Sequence, residues 1–113
     1  MHEVGLMQDT LDLAVEEAGR AGATRIHRLM MQIGRLSGVV PEALEFAFEI
    51  LAKGTIADGA ILEIEQVPIV CYCAACTREF EPPSMICECP GCGTPSFDVR
   101  RGREIQLSSL EVS

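Results

Sequence analysis

The chain has 113 residues, 48% of them hydrophobic, with no Trp and one Tyr, and its 9 basic side chains face 17 acidic ones for a formal charge of −8. That length suits one compact domain, or a domain with a small appendage, and a modest core that leans on a metal or a second subunit for part of its stability. An acid excess without a basic stripe excludes nucleic-acid binding as the main role, no apolar run approaches the ~18 residues of a membrane span, and the first residues lack the basic segment of a signal peptide.

In chain order, Val4, Met7, Leu11, Ala14, Val15 and Ala18 recur at helical spacing and predict an amphipathic helix over residues 4–21. Gly19 and Gly22 mark its end. Residues 24–36 predict a strand with Leu29, Met31 and Ile33 on one face and Gly34 as a candidate bulge. Pro41 is a favoured first helical residue, so a second helix is expected to run from there to about Lys53, with Leu44, Ala47, Phe48 and Leu51 as its apolar stripe and Gly54 as its stop. After an Asp58-Gly59 turn, Ile61 to Val67 alternates Leu62 and Ile64 against Glu63 and Glu65 as a second strand that Pro68 closes. The last strand is expected over Ile105 to Val112. Its apolar phase switches between Ile105/Leu107 and Leu110/Val112, which predicts a bulge near Ser108-Ser109. Val4, Met7, Leu11, Val15, Leu29, Met31, Ile33, Leu44, Phe48, Leu51, Leu62, Ile64, Leu107 and Leu110 are the expected core. Arg100, Arg101 and Arg103, beside Asp98 and Glu104, read as a solvated turn, and His27 as a surface residue.

Six cysteines lie between the second and last strands. The cytosol is the expected location; thiols stay reduced there, so the cysteines point to metal ligation rather than disulfides. Cys73-x-x-Cys76 and Cys89-x-x-Cys92 form two knuckles. A Cys-x-x-Cys turn aims both sulfurs at one ion, and two such turns close a tetrahedral thiolate site around Zn²⁺ with no open position, which makes the metal structural. A redox dithiol or iron in a rubredoxin-like site is the competing reading. Cys71 and Cys87 are surplus, each two residues before the first ligand of its knuckle, because Cys-x-Cys-x-x-Cys occurs twice. They are expected to be neighbours across the ribbon, in equivalent places on its two strands, and not to ligate zinc. Apolar packing, an alternative ligand set and a reversible disulfide all fit them.

At the other end, Met1 should be retained, because His2 is bulky. The α-amine, the His2 imidazole and the His2 and Glu3 amides then offer four nitrogens in a plane, an arrangement that suits Ni²⁺ or Cu²⁺. The first amides of a helix lack intrahelical acceptors and can lose their protons without breaking helical bonds. On the tripeptide alone, a solvated His2 is the commoner reading.

The Met1-His2-Glu3 start with its amphipathic helix, Ile33-Gly34, the Pro41-to-Phe48 helix, the Gly54-to-Glu65 segment, the two knuckles and the Gly102-to-Val112 strand together resemble the HypA/HybF family of hydrogenase maturation factors over the whole chain. The resemblance implies a nickel metallochaperone, not an enzyme, that helps insert Ni²⁺ into the large subunit of [NiFe]-hydrogenase with a partner GTPase, and in some organisms serves urease. It implies nickel at Met1, His2 and Glu3 and zinc at Cys73, Cys76, Cys89 and Cys92. Cys87 departs from the family pattern. The implied fold agrees with the element order: α+β, two helices on a three-stranded mixed sheet, with a zinc ribbon inserted before the last strand. Residues 1–67 plus 104–113 are expected to form the nickel-binding part and 68–103 the ribbon. The rival reading is a zinc-ribbon protein-interaction module with no nickel role.

Overall fold

A computed structural model describes residues 2–113. Two helices, α1 (Glu3–Arg20) and α2 (Pro41–Leu51), and six strands, β1 (Ile26–Gly34), β2 (Ile61–Val67), β3 (Val70–Cys73), β4 (Arg78–Phe80), β5 (Val99–Arg101) and β6 (Ile105–Val112), make up its regular structure. The larger sheet has the order β2-β1-β6, and the smaller has the order β4-β3-β5. The larger sheet is mixed: β1 runs parallel to β2, with α2 in the crossover, and antiparallel to β6.

Side-chain alternation along β1 divides this sheet into two faces. Leu29, Met31 and Ile33 are buried and pair with Leu62, Ile64 and residues of β6 on the helix-covered side. The opposite face is polar. Arg28 pairs with Glu63 and, at 3.3 Å, with Glu111, and Gln32 accepts from Gln106 while donating to Glu65. A sheet with one face on the core and the other polar and solvated needs no second helical layer. Pairing of β1 with β6 shifts between Met30↔Ser109 and Met31↔Leu107, leaving Ser108 as the extra residue. Its hydroxyl donates to the Met30 carbonyl at 3.0 Å. The bulge falls where the phase switch in the sequence expects it.

Three sequence expectations need correction. Val4 and Val15 are exposed, at 57% and 39%, because the buried stripe of α1 runs Met7, Thr10, Leu11, Ala14, Ala18 and both valines lie past its edge. Thr10 is tolerated in that stripe because its hydroxyl donates to the Leu6 carbonyl at 2.9 Å. Gly34 is not a bulge. It keeps register with Val67, and a Cβ there would stand 2.1 Å from the Gly102 carbonyl, so glycine is required by close backbone approach. Arg100 and Arg101 are not in a turn but in β5, where Arg100 forks onto Asp98 at 2.8 and 2.9 Å and lies over the Tyr72 ring.

The smaller sheet has its own core of Ile69, Cys71, Cys73, Phe80 and Cys89, separate from the cluster between helices and larger sheet. The radius of gyration is 17.3 Å and the long axis is 53 Å, against about 13 Å for a compact chain of this length. The molecule is thus elongated, with its two cores set along its length. At the junction Leu36 donates to the Gly102 carbonyl at 2.6 Å, and Gly34 to that of Glu104 at 2.8 Å.

Candidate metal sites

Both knuckles place a positive-φ residue directly after their second cysteine. Cys73 ends β3 and the chain turns back at Cys76, whose amide points at Cys73 Sγ at 3.4 Å. Thr77, the next residue, has a φ of +51°, an uncommon value for a β-branched residue. The second knuckle has no regular strand. An isolated Glu88–Pro95 bridge, Cys89 donating to Thr94 and Gly93 donating to Cys89 hold it, and Gly93 takes the left-handed conformation at the place equivalent to Thr77.

These turns bring Cys73, Cys76, Cys89 and Cys92 together, with all four sulfurs within 4.8 Å of one another. Cys73 Sγ lies 3.6 Å from Cys92 Sγ, and Cys76 Sγ 3.8 Å from Cys89 Sγ. A tetrahedron with Zn–S bonds of ~2.3 Å has edges of about 3.8 Å, so the donor set fits zinc in both chemistry and size. Proton sharing tells the same story. Hydrogen bonds with Cys92, then Cys89 and Cys73, push the Cys76 thiol up to about 12. The Thr94 hydroxyl, 3.2 Å from Cys92 Sγ, and the Thr94 amide bring Cys92 down to about 6. Four sulfurs this close cannot all ionise unless a cation takes the place of the protons.

Cys71 and Cys87 stand outside that cluster, joined to each other as a disulfide. The expectation of metal ligation rather than disulfides therefore holds in the geometry of four cysteines and is corrected for these two. They are neighbours, as expected, but not on equivalent strands: Cys71 is in β3 and Cys87 in the irregular segment before Glu88. The local sequence repeat does not extend to strand pairing, because β3 takes β4 and β5 as its partners.

Near the chain's amino terminus, His2 precedes α1 in extended conformation (φ −101°, ψ 116°), exposed, and its side chain makes no capping bond. Its carbonyl accepts from the Leu6 amide at 2.9 Å, while the amides at the helix start have no carbonyl one turn earlier. Glu3 is in the first turn. Met1 lies outside the described residues, so the expected nickel set is represented by His2 and Glu3. Both border an apolar groove of about 300 Å³ between the start of α1 and α2, lined by Val4, Ala43, Phe46, Ala47, Ile50 and Leu51. His27 is on the surface, with Nε2 2.7 Å from Ser113 Oγ, away from this site.

Residues 1–112 match the family model HypA, described as hydrogenase/urease nickel incorporation, metallochaperone. The chain belongs to the HypA family. Among curated relatives, the hydrogenase maturation factor HypA of a Picosynechococcus species is 53% identical over 112 residues, covering 99% of both chains. The HypA of Acidithiobacillus ferrooxidans is 36% identical with the same coverage. The solution structure of the Ni metallochaperone HypA from Helicobacter pylori superposes with a TM-score of 0.72 at 27% identity, covering 99% of this chain and 97% of that one. The family is one of nickel metallochaperones acting in hydrogenase maturation, and the fold read from the sequence is that of its solved members.

Sequence reasoning missed three residues around these sites. Thr94 tunes Cys92 from two residues away, a role that only the Cys-x-Thr spacing could have suggested. Phe46 and Ile50 are apolar yet exposed, at 66% and 53%, beside His2. Their signal was present: both fall off the Leu44/Ala47/Phe48/Leu51 stripe.

Proposed function

We propose that this chain is a cytoplasmic, non-catalytic carrier that binds Ni²⁺ at its amino terminus and passes it to the large subunit of a [NiFe]-hydrogenase, or to urease, with a partner GTPase. The ligands are the Met1 α-amine, the His2 imidazole and the deprotonated His2 and Glu3 amides, with the Glu3 carboxylate as added charge. Residues 1–67 plus 104–113 form the nickel-binding part. Residues 68–103 form a ribbon whose Cys73, Cys76, Cys89 and Cys92 hold Zn²⁺, and four thiolates leave no position for substrate, so that ion is structural. No helix among the described residues is long and apolar enough to cross a membrane.

The observation that carries this reading is His2, exposed and uncapped beside helix amides without acceptors, within a family match that includes the first three residues. A plain zinc-ribbon interaction module would leave both without a role. The test is nickel titration with a metal count for each variant. His2→Ala is expected to lose nickel at least about a hundredfold in affinity, since loss of even an outer-shell partner costs roughly 10–100-fold, and to keep its zinc and helix content. Unchanged nickel affinity would overturn the assignment.

A further inference from the structure

The disulfide between Cys71 and Cys87 packs in the same small core as the knuckles but contributes no sulfur to the four-cysteine cluster, and the proposed function does not use it. Cys71 is fully buried in the ribbon core and pairs with Phe80 on β4 and Val99 on β5. Cys87 is half-buried, held by its carbonyl accepting from the Ser96 amide at 2.7 Å. Their Cα atoms are 6.3 Å apart, within the span that one disulfide bridges. Each is two residues ahead of the first ligand of a knuckle. The bond therefore ties β3, which carries the first knuckle, to the irregular segment that carries the second. That second segment has no regular strand and is held by the Glu88–Pro95 bridge and by turn bonds of Cys87, Cys89 and Gly93. Metal and disulfide thus close the same ribbon by separate chemistry.

We propose that Cys71 and Cys87 are a thiol–disulfide exchange site whose cross-link keeps the ribbon closed when zinc is absent. The co-reactant is a low-molecular-weight disulfide of the glutathione class. The Cys87 thiolate, the more accessible of the pair, attacks one sulfur of that disulfide, forming a mixed disulfide and releasing one small thiol. Cys71 then attacks the Cys87 sulfur, forming the protein disulfide and releasing the second small thiol. The protein dithiol is oxidised by two electrons and the small disulfide is reduced to two thiols, which carry away both protons; excess small thiol reverses both steps. The oxidised form also removes two sulfurs from the pool that could compete for the ion. This inference rests on reading the four knuckle cysteines as the zinc set.

The test uses the full chain, loaded with zinc and treated with either oxidised or reduced glutathione. Thiols are then alkylated after chelation in denaturant, and the peptides are mapped. The oxidised sample is expected to show four labelled cysteines, a Cys71–Cys87 linked peptide and retained zinc before chelation. When zinc is stripped from the folded chain, a broad-specificity protease should cut within residues 74–96 on the order of a hundredfold more slowly in the oxidised form, because the cross-link restricts the opened loop. Cys71→Ala and, as a second variant with a half-buried site, Cys87→Ser should each keep zinc and lose that protection. Six labelled cysteines after oxidation, linkage to a knuckle cysteine, equal cutting of both forms, or zinc lost from both variants would overturn the proposal. A linked pair in a chain that takes up no zinc would support the exchange site and count against the knuckle reading.

Discussion

Thr94 shows how much one neighbour decides at a thiolate cluster. Cys92 is exposed and its thiol is drawn down to about 6, chiefly by the Thr94 hydroxyl. In the metal-free chain it is ionised at neutral pH, so it should be the first knuckle cysteine alkylated. Thr94→Val removes the hydroxyl and leaves the backbone amide. Alkylation of Cys92 at pH 7 is expected to slow several-fold, read by mass mapping under reducing conditions. Cys76, pushed up to about 12, keeps its proton at pH 7. Zinc must displace that proton, so zinc affinity is expected to rise as pH is raised from about 6 to 8 and protons to be released on binding. A pH-independent affinity would show that the thiols are not the ligands.

Among the elements, β1 is the one on which most else depends, because it pairs with β2 and β6 and its buried side chains meet both helices. Leu29 is fully buried there, and Leu29→Ala should cost about 2–5 kcal/mol by lost transfer energy and cavity formation, measured by urea unfolding. Gly34→Ala adds only one carbon, yet that carbon meets the Gly102 backbone at 2.1 Å. A loss of about 3 kcal/mol is expected, with strand pairing at the end of β1 disturbed in amide exchange. A neutral Gly34→Ala would mean that the two backbones are not so close in solution.

How far these elements can be read from sequence follows the kind of force that sets them. Both helices, β1, β2 and β6 bury one face along many residues, so their periodicity is written in the chain, and even the Ser108 bulge leaves its trace as a change of phase. The four knuckle cysteines are equally legible, since the spacing of Cys-x-x-Cys is itself the geometry of the turn. The short strands β3, β4 and β5 are not. They have three or four residues each, too few for a period, and are placed by the knuckles and by Arg100 on Asp98 and Tyr72. Gly34 was misread because its reason, Gly102, is far along the chain. Val4 and Val15 were misread because a helical stripe gives its direction better than its width.

For the whole molecule, two separate cores along a 53 Å axis imply separable stabilities. In reducing buffer, chelation or Cys89→Ser is expected to unfold residues 70–100 while α1 and α2 persist, because their apolar faces pack on the larger sheet. Amide exchange would show fast exchange confined to the ribbon. A single melting transition for the whole chain would contradict a division into two parts. The nickel ligands proposed lie outside the ribbon and include the amino terminus itself. Binding through the deprotonated amides proposed releases protons, so nickel affinity should rise with pH.

The most direct measurement compares nickel titrations of the chain beginning at Met1 and of the same chain with one glycine added before it. The addition turns the Met1 amine into an amide and moves the free amine out of place, while leaving His2, Glu3, the zinc ligands and the fold as they are. The expected result is a loss of nickel affinity of about a hundredfold or more with zinc content unchanged. Equal affinity in the two chains would contradict nickel binding at the amino terminus.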